Sequence, residues 1–269
     1  GRVPTNRTKR NILRTEDEGG WLSAYSIQIV TALAALLHDL GKANKAFQLK
    51  LKPQAFSHAD YFRHEWISAR LFEAMISGCQ TDQEWLERLA NWSEYKKNWL
   101  DVLNIDEPKI VNKADFSHLP PLARTLIWLI TSHHRLPFFS EVNRELNVIS
   151  QKSVYLDDAS WETFYQLQFY PADQWIRNVQ STHPNKKQFW QFDFLATDSR
   201  SWQKTMSRWA KKALNHPTLL TMDFSDPFFL LVTRLCLMVG DHHYSSLPAD
   251  ITLGDKDFNY KLISNTDKN

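Results

Sequence analysis

Six residues have side chains and settings suited to holding metal ions: His38, Asp39, His64, His133, His134 and Asp241. His38-Asp39 ends an otherwise apolar stretch and is followed by Gly41 and Lys42. An imidazole and a carboxylate buried at a helix end are costly unless they are paired or bind a cation. The partial negative charge of a helix C-terminus favours the cation. His133-His134 closes a second apolar stretch and Asp241 a third, while His64 stands in the first turn or two of a helix within FRHEW. Imidazole mixed with carboxylate suits Mn, Fe, Co, Ni or Zn. It lacks the closely spaced cysteines of a structural zinc site. Asp39, with two oxygens, could bridge two ions, and two ions about 3.5–4 Å apart can activate a water and hold a phosphate for in-line attack.

Taken singly, each residue has an ordinary reading. His64 could be a surface histidine beside Glu65, His133-His134 a polar helix C-cap, His242-His243 an accidental pair, and Lys42 a solvated side chain. Asp241 could cap the loop at Ser245 and Ser246. Taken jointly, the order HD, H, HH, D in a helical chain is hard to assign to chance.

The elements that must position these residues are helices. Apolar periodicity predicts a long helix over 21–42 that stops near Gly41, a usual helix-stop residue. Further helices are predicted over 60–77, 84–103, 121–135 (stopped by Pro137) and 201–215, with short ones over 159–169 and 172–179. Residues 180–200 read as irregular. Ser225 or Asp226 can cap a last apolar helix with Pro227 at its first position. That helix is expected to be central, so that its final turn carries Asp241 into the interior. No β-alternation stands out, and the expected architecture is all-α, with helix ends converging on a metal site as in carboxylate–histidine bundles.

The rest of the sequence bounds this picture. With 269 residues the chain can bury a large core without disulfides, and eleven Trp with sixteen Phe make that core aromatic. Seven Gly fit helices better than many turns. The formal charge of +2 gives no global field for nucleic acid, so binding must come from local patches. Cys79 and Cys236 are not a disulfide framework, and Cys236 reads as a small core residue. No run reads as a membrane span, and no signal peptide is visible. The chain opens at Gly1 rather than Met, as a piece of a larger protein would, and a cytoplasmic location is expected. Expected boundaries are a basic arm over 1–20, the main domain over 21–250 and a polar tail over 251–269. No GxxxxGK[ST] phosphate loop occurs.

The run HDLGK, a single His, then HH and a late Asp resembles the HD nuclease domain of the CRISPR-associated helicase–nuclease of type I systems. GRVPTNRTKRNIL, HDLGKANKAFQLKL, FRHEWISARLF and GDHHYSS look closest to the type I-F form. In that form an adaptation-protein domain precedes the HD domain and a helicase follows it. The resemblance implies a helical HD phosphodiesterase that degrades single-stranded DNA with one or two divalent metals (Mn, Fe, Co, Ni or Mg). His38, Asp39 and Asp241 would hold one ion. Asp39 would bridge to a second, held by His64, His133 and His134. Lys42, four residues after His38 and so on roughly the same helix face, would contact the scissile phosphate or hold Asp39. Many family members carry a further His upstream; here none precedes His38, and water or a residue such as Gln28 would stand in. Lys45 and Arg135, with Lys50, Lys52 and Lys212, are candidates for a groove along the strand. Expected partners are single-stranded DNA, a helicase lying outside this chain, the guide-RNA surveillance complex and phage-encoded inhibitors, with no membrane. The competing readings are a nucleotide or cyclic-dinucleotide phosphohydrolase and a non-catalytic docking module.

Overall fold

The computed structural model describes residues 23–52, 58–106, 116, 118–134, 141–143, 148–150 and 181–247. The expected arm, the tail, the helices over 159–169 and 172–179, and Arg135 lie outside the described residues. The described part is helical, with α1 (Ala24–Leu37), α2 (Lys45–Lys50), α3 (His64–Met75), α4 (Asp82–Ala90), α5 (Trp92–Tyr95), α6 (Pro121–Ser132), α7 (Arg200–Leu214), α8 (Pro217–Thr221) and α9 (Pro227–Ser245). One feature was not expected: a short antiparallel hairpin, β1 (Glu141–Asn143) with β2 (Val148–Ser150), pairing Val142 with Ile149. Three-residue strands are too short to leave a readable alternation in sequence.

Helix α1 buries Ser26, Ile29, Val30, Leu33, Ala34 and Leu37, a face at helical spacing. It packs against α9, α7, α6 and α3. Together with the turn after it, Ala24–Ala43 is long and apolar enough to cross a membrane by length and composition, which the sequence reading did not recognise. Its apolarity is accounted for by burial inside the bundle. The central helices are α3 and α6, buried on nearly every side. Four fully buried tryptophans (Trp66, Trp85, Trp92 and Trp128) confirm the aromatic core.

Helix α6 begins at Pro120-Pro121, which offers no capping side chain. The cap comes from α4: the Asp82 carboxylate accepts hydrogen bonds from the backbone N–H of Leu122 and Ala123 and from Trp85 Nε1. Under α3, Arg70 donates to Asp106 and Glu73, and Trp66 Nε1 donates to the same Asp106. Buried charges are thus paired, as they must be.

Helix α9 decides between the two expected caps and corrects two other expectations. Asp226, not Ser225, caps it, accepting from Phe228 N. The helix is peripheral rather than central. Phe229, Leu230, Thr233 and Leu237 face inward, while Phe228, Leu231, Leu235 and Val239 are exposed. Cys236 lies on the exposed side and is not a core residue. An apolar run reports that a helix buries a face, not how many faces it buries.

Candidate metal centre

The sequence of α1 ends its helix at Leu37, and His38-Asp39 forms the turn into a 3-10 segment, Leu40–Ala43. What requires glycine at 41 is contact, not a left-handed stop. A Cβ there would sit 2.1 Å from the His64 carbonyl oxygen and 2.9 Å from Ser68 N. Gly41 N also donates to Ser68 Oγ at 2.8 Å. The His-Asp turn is therefore seated directly on the first turn of α3, the turn that begins with His64.

Helix α6 ends at Ser132, so His133 and His134 follow its last turn. Arg234 of α9 donates to the Ser132 carbonyl at 2.7 and 2.9 Å, which ties the two helices at this point. Asp241 is not at a helix end, since α9 runs on to Ser245. It points inward because it continues the i, i+4 row of Phe229, Thr233 and Leu237.

These elements bring all six predicted ligands together. His38 Nε2 lies 3.3 Å from Asp39 Oδ2 and 3.6 Å from Asp241 Oδ1. His64 Nε2 lies 3.2 Å from Asp39 Oδ1. Asp39 thus turns one oxygen to each side. The His133 ring is 4.8 Å from His38, 5.9 Å from His64 and 4.0 Å from His134. Two sets of ligand atoms, each within 4.8 Å of one another, result: His38 with His133 and Asp241, and His64 with His133 and His134. His133 is common to both. Ligands about 2.0–2.2 Å from a metal lie about 3 Å or more apart, so these spacings suit coordination.

Orphaned polar atoms test the fit. His38 Nε2, Asp39 Oδ1, His64 Nε2 and His133 Nε2 are buried and make no hydrogen bond. Each such group costs about 1–3 kcal/mol. In the metal-free chain, ion pairing with Asp39 offsets part of that cost for His38 and His64, whereas His133 Nε2 has no such partner. Cations among them remove that cost. His38 and His133 are already oriented for this: Nδ1 of each donates to a carbonyl one turn back, Ala35 O at 2.9 Å and Ile130 O at 2.6 Å, leaving Nε2 free to ligate.

The metal-free electrostatics are uneven. Burial alone would push His38 down, but Asp39 and Asp241 outweigh it and carry the imidazole up to about 10. Burial likewise opposes ionisation of Asp39, yet the neighbouring His38 and His64 hold it well below the usual carboxylate range. The His38 contact holds Asp241 low. His133 is pushed down to about 3 by burial, with His38 and His134 adding to it. His134, more exposed, is lowered by burial and by His64.

Lys42 does not share a helix face with His38, because the helix has ended. It lies in the 3-10 turn, where Nζ donates to Asp39 Oδ2 at 2.7 Å. Gln28 is exposed and ten residues before His38, about 15 Å along a helix, so it does not replace a ligand. Among the groove candidates, Lys50 is paired with Asp60 at 3.0 Å and Lys212 stands over the Trp209 ring at 4.2 Å. Lys45 is half-buried and Lys52 exposed. Sequence reasoning missed Ser68, Glu65 and Arg234. The only signals were spacing: Ser68 comes four residues after His64, and Arg234 seven before Asp241.

Residues 3–238 match the family model described as "Cas3, HD domain". The chain belongs to the Cas3 HD-domain family. It is 40% identical over 274 residues to a protein named CRISPR-associated nuclease/helicase Cas3 subtype I-F/YPEST from Pseudomonas aeruginosa. It is 37% identical over 275 residues to one of the same name from Pectobacterium atrosepticum. Each comparison covers all of this chain and 24% of the relative, so the chain spans about a quarter of the length of these proteins. The match to the Cas3 HD model stops three residues short of Asp241, whereas both relatives align through it.

Proposed function

We propose that this chain is the nuclease part of a larger nuclease/helicase and that it degrades single-stranded DNA in CRISPR interference. The observation that carries this reading is the convergence of four buried candidate ligand atoms that make no hydrogen bond, from the ends of α1, α3 and α6, with Asp241 of α9 beside them. His38, Asp39 and Asp241 would hold one divalent cation, and His64, His133 and His134 a second, with Asp39 between them. Bound there, such cations supply Lewis-acid charge to a phosphate and lower the pKa of a coordinated water. The chain's own groups do the rest. Nδ1 hydrogen bonds hold the His38 and His133 rings in place. Lys42 fixes Asp39 and adds a positive charge at the edge of the site, where the scissile phosphate's developing charge needs one. Lys45 and Arg135 would guide the strand. The helicase feeding that strand, the guide-RNA surveillance complex, phage-encoded inhibitors and a cytoplasmic setting belong to the same proposal, as do a domain over 21–250 and flanking arm and tail.

The test is cutting by the 269-residue chain of circular single-stranded DNA and of blunt duplex, with Mn, Co, Ni or Mg. Single strands should be cut much faster, because the ligands are recessed and a flexible strand reaches them where a stacked duplex does not. EDTA should abolish cutting and added metal restore it. Equal rates on both substrates, or chelator-resistant cutting, would overturn this reading. Nucleotides or cyclic dinucleotides hydrolysed while DNA stays intact would make the chain a phosphohydrolase. A folded chain without metal by elemental analysis would make it a docking module.

A further inference from the structure

The rings of His38 and His133 are each fixed by a carbonyl one turn back in the helix they follow. His64 cannot use that device, because it is the first residue of α3 and no helical turn lies behind it. What its Nδ1 meets instead is a carboxylate oxygen, Glu65 Oε2, at 3.3 Å. Glu65 is only 2% exposed. Its other oxygen, Oε1, is taken by the Arg63 guanidinium. Oε2 is buried and makes no hydrogen bond, which is costly for a carboxylate unless a donor completes it. The two halves of the centre also differ in charge. His38 has both Asp39 and Asp241 beside it, whereas the His64 side has Asp39 and otherwise imidazoles.

We propose that Glu65 is the positioning residue of His64: Oε2 accepts a hydrogen bond from Nδ1–H, which leaves Nε2, on the Asp39 side, to ligate a cation held with Asp39. This rests on the metal reading above. It makes His64 the one ring of the three with an anionic partner behind it. A carboxylate in that place fixes the tautomer and strengthens the ring as a donor. It also supplies, from just behind the ligands, the negative charge that the His64 side lacks. Arg63 keeps the carboxylate turned so that Oε2 faces the ring. A purely structural Glu65 would serve only to pair with Arg63 and favour the N-terminus of α3.

Nitrogen-15 and proton imidazole spectra of the zinc-loaded chain, with Mn affinities beside them, decide the matter. The His64 signal is identified by its loss in His64→Gln. The wild-type ring should carry its proton on Nδ1 with the downfield proton shift of a hydrogen bond to a carboxylate. A ring that ligates through Nδ1, or an Nδ1–H without that shift, overturns the proposal without any Glu65 variant. Glu65→Gln retains a carbonyl oxygen and should keep a smaller shift. Glu65→Ala should lose the shift and weaken Mn binding by about 10–100-fold, the usual loss when a partner behind a ligand is removed, with Glu65→Gln falling between it and wild type. A folded Glu65→Ala chain with the wild-type shift and unchanged Mn affinity also overturns the proposal, even if its melting temperature falls. Failure of the metal reading looks different: His64→Gln would then bind Mn as the wild type does, while the Nδ1–H shift and its loss in Glu65→Ala would still decide the role of Glu65.

Discussion

At Asp241 a metal ligand and a helix-stabilising carboxylate make different demands. The side chain faces His38 at 3.6 Å and also accepts a long contact from Ser245 Oγ at 3.5 Å. If the Ser245 contact matters, Asp241→Ala costs about 1 kcal/mol and leaves cutting intact. As a ligand, its loss should lower metal content and cutting by more than the roughly 10–100-fold that a supporting partner contributes, with helical circular dichroism unchanged. Metal analysis beside a nuclease assay separates the two. The histidines make a second prediction, for the metal-free chain. His133, at about 3 in the fold against an ordinary 6.5, must stay neutral to remain buried. Its stabilising contribution is present above about pH 6.5 and is lost as pH falls toward 3. His38 has the opposite sign. Raised to about 10, it contributes fully below about 6.5 and loses that contribution as pH rises through 10. Urea midpoints of EDTA-treated protein should therefore fall on both sides of neutrality. His133→Gln should flatten the acid limb, and an unchanged acid limb would show that His133 does not set it.

At the scale of elements, two glycines test how the centre is seated. Gly41→Ala places a methyl group against the His64 backbone, where neither partner can yield without moving a ligand. It should cost about 1–3 kcal/mol or more and, if the six candidate ligands hold a cation as proposed, weaken Mn affinity as well. Gly240→Ala, within α9 and with nothing near its added Cβ, should instead stabilise by about 0.5–1 kcal/mol through helix propensity. Thermal melts of the pair check both signs. These sites also mark what could be read beforehand. The apolar helix that leads into His38-Asp39, the six candidate ligands and the helical class follow from apolar spacing and residue type. The reason for Gly41 could not be read, because it lies in a partner remote in sequence rather than in local backbone. The peripheral place of α9 was equally hidden. Leu231, Leu235 and Val239 are apolar yet exposed, and hydropathy does not say on which side neighbours stand. Asp241 was expected inside because its helix was expected to be central; it is inside because it falls in register with Phe229, Thr233 and Leu237. Ser68 seats the His-Asp turn and Asp82 caps the start of α6, both through hydrogen bonds to remote backbone that leave no local pattern.

For the molecule as a whole, a cation would complete four buried atoms that make no hydrogen bond in the metal-free fold. A cation that binds the folded state alone, present at about 100 times its dissociation constant, stabilises by about 2.7 kcal/mol. For a domain of this size that is a rise of about 5–10 °C in melting temperature. Calorimetry with Mn or Co against EDTA should show it, and His38→Ala or Asp39→Ala should remove most of it. No shift with any transition metal would place the centre outside the folded-state ligands described here. The order in which the chain is made adds a last consequence. Asp241 is the final one of the six candidate ligands to leave the ribosome, long after His38 and His64. Until α9 exists and lies along α1, the set of His38, His133 and Asp241 stays open, although His64, His133 and His134 are already present. On the proposed function, nascent chains released before Pro227 keep His64, His133 and His134 but lack Asp241, so they should bind less metal than the full chain and cut DNA poorly.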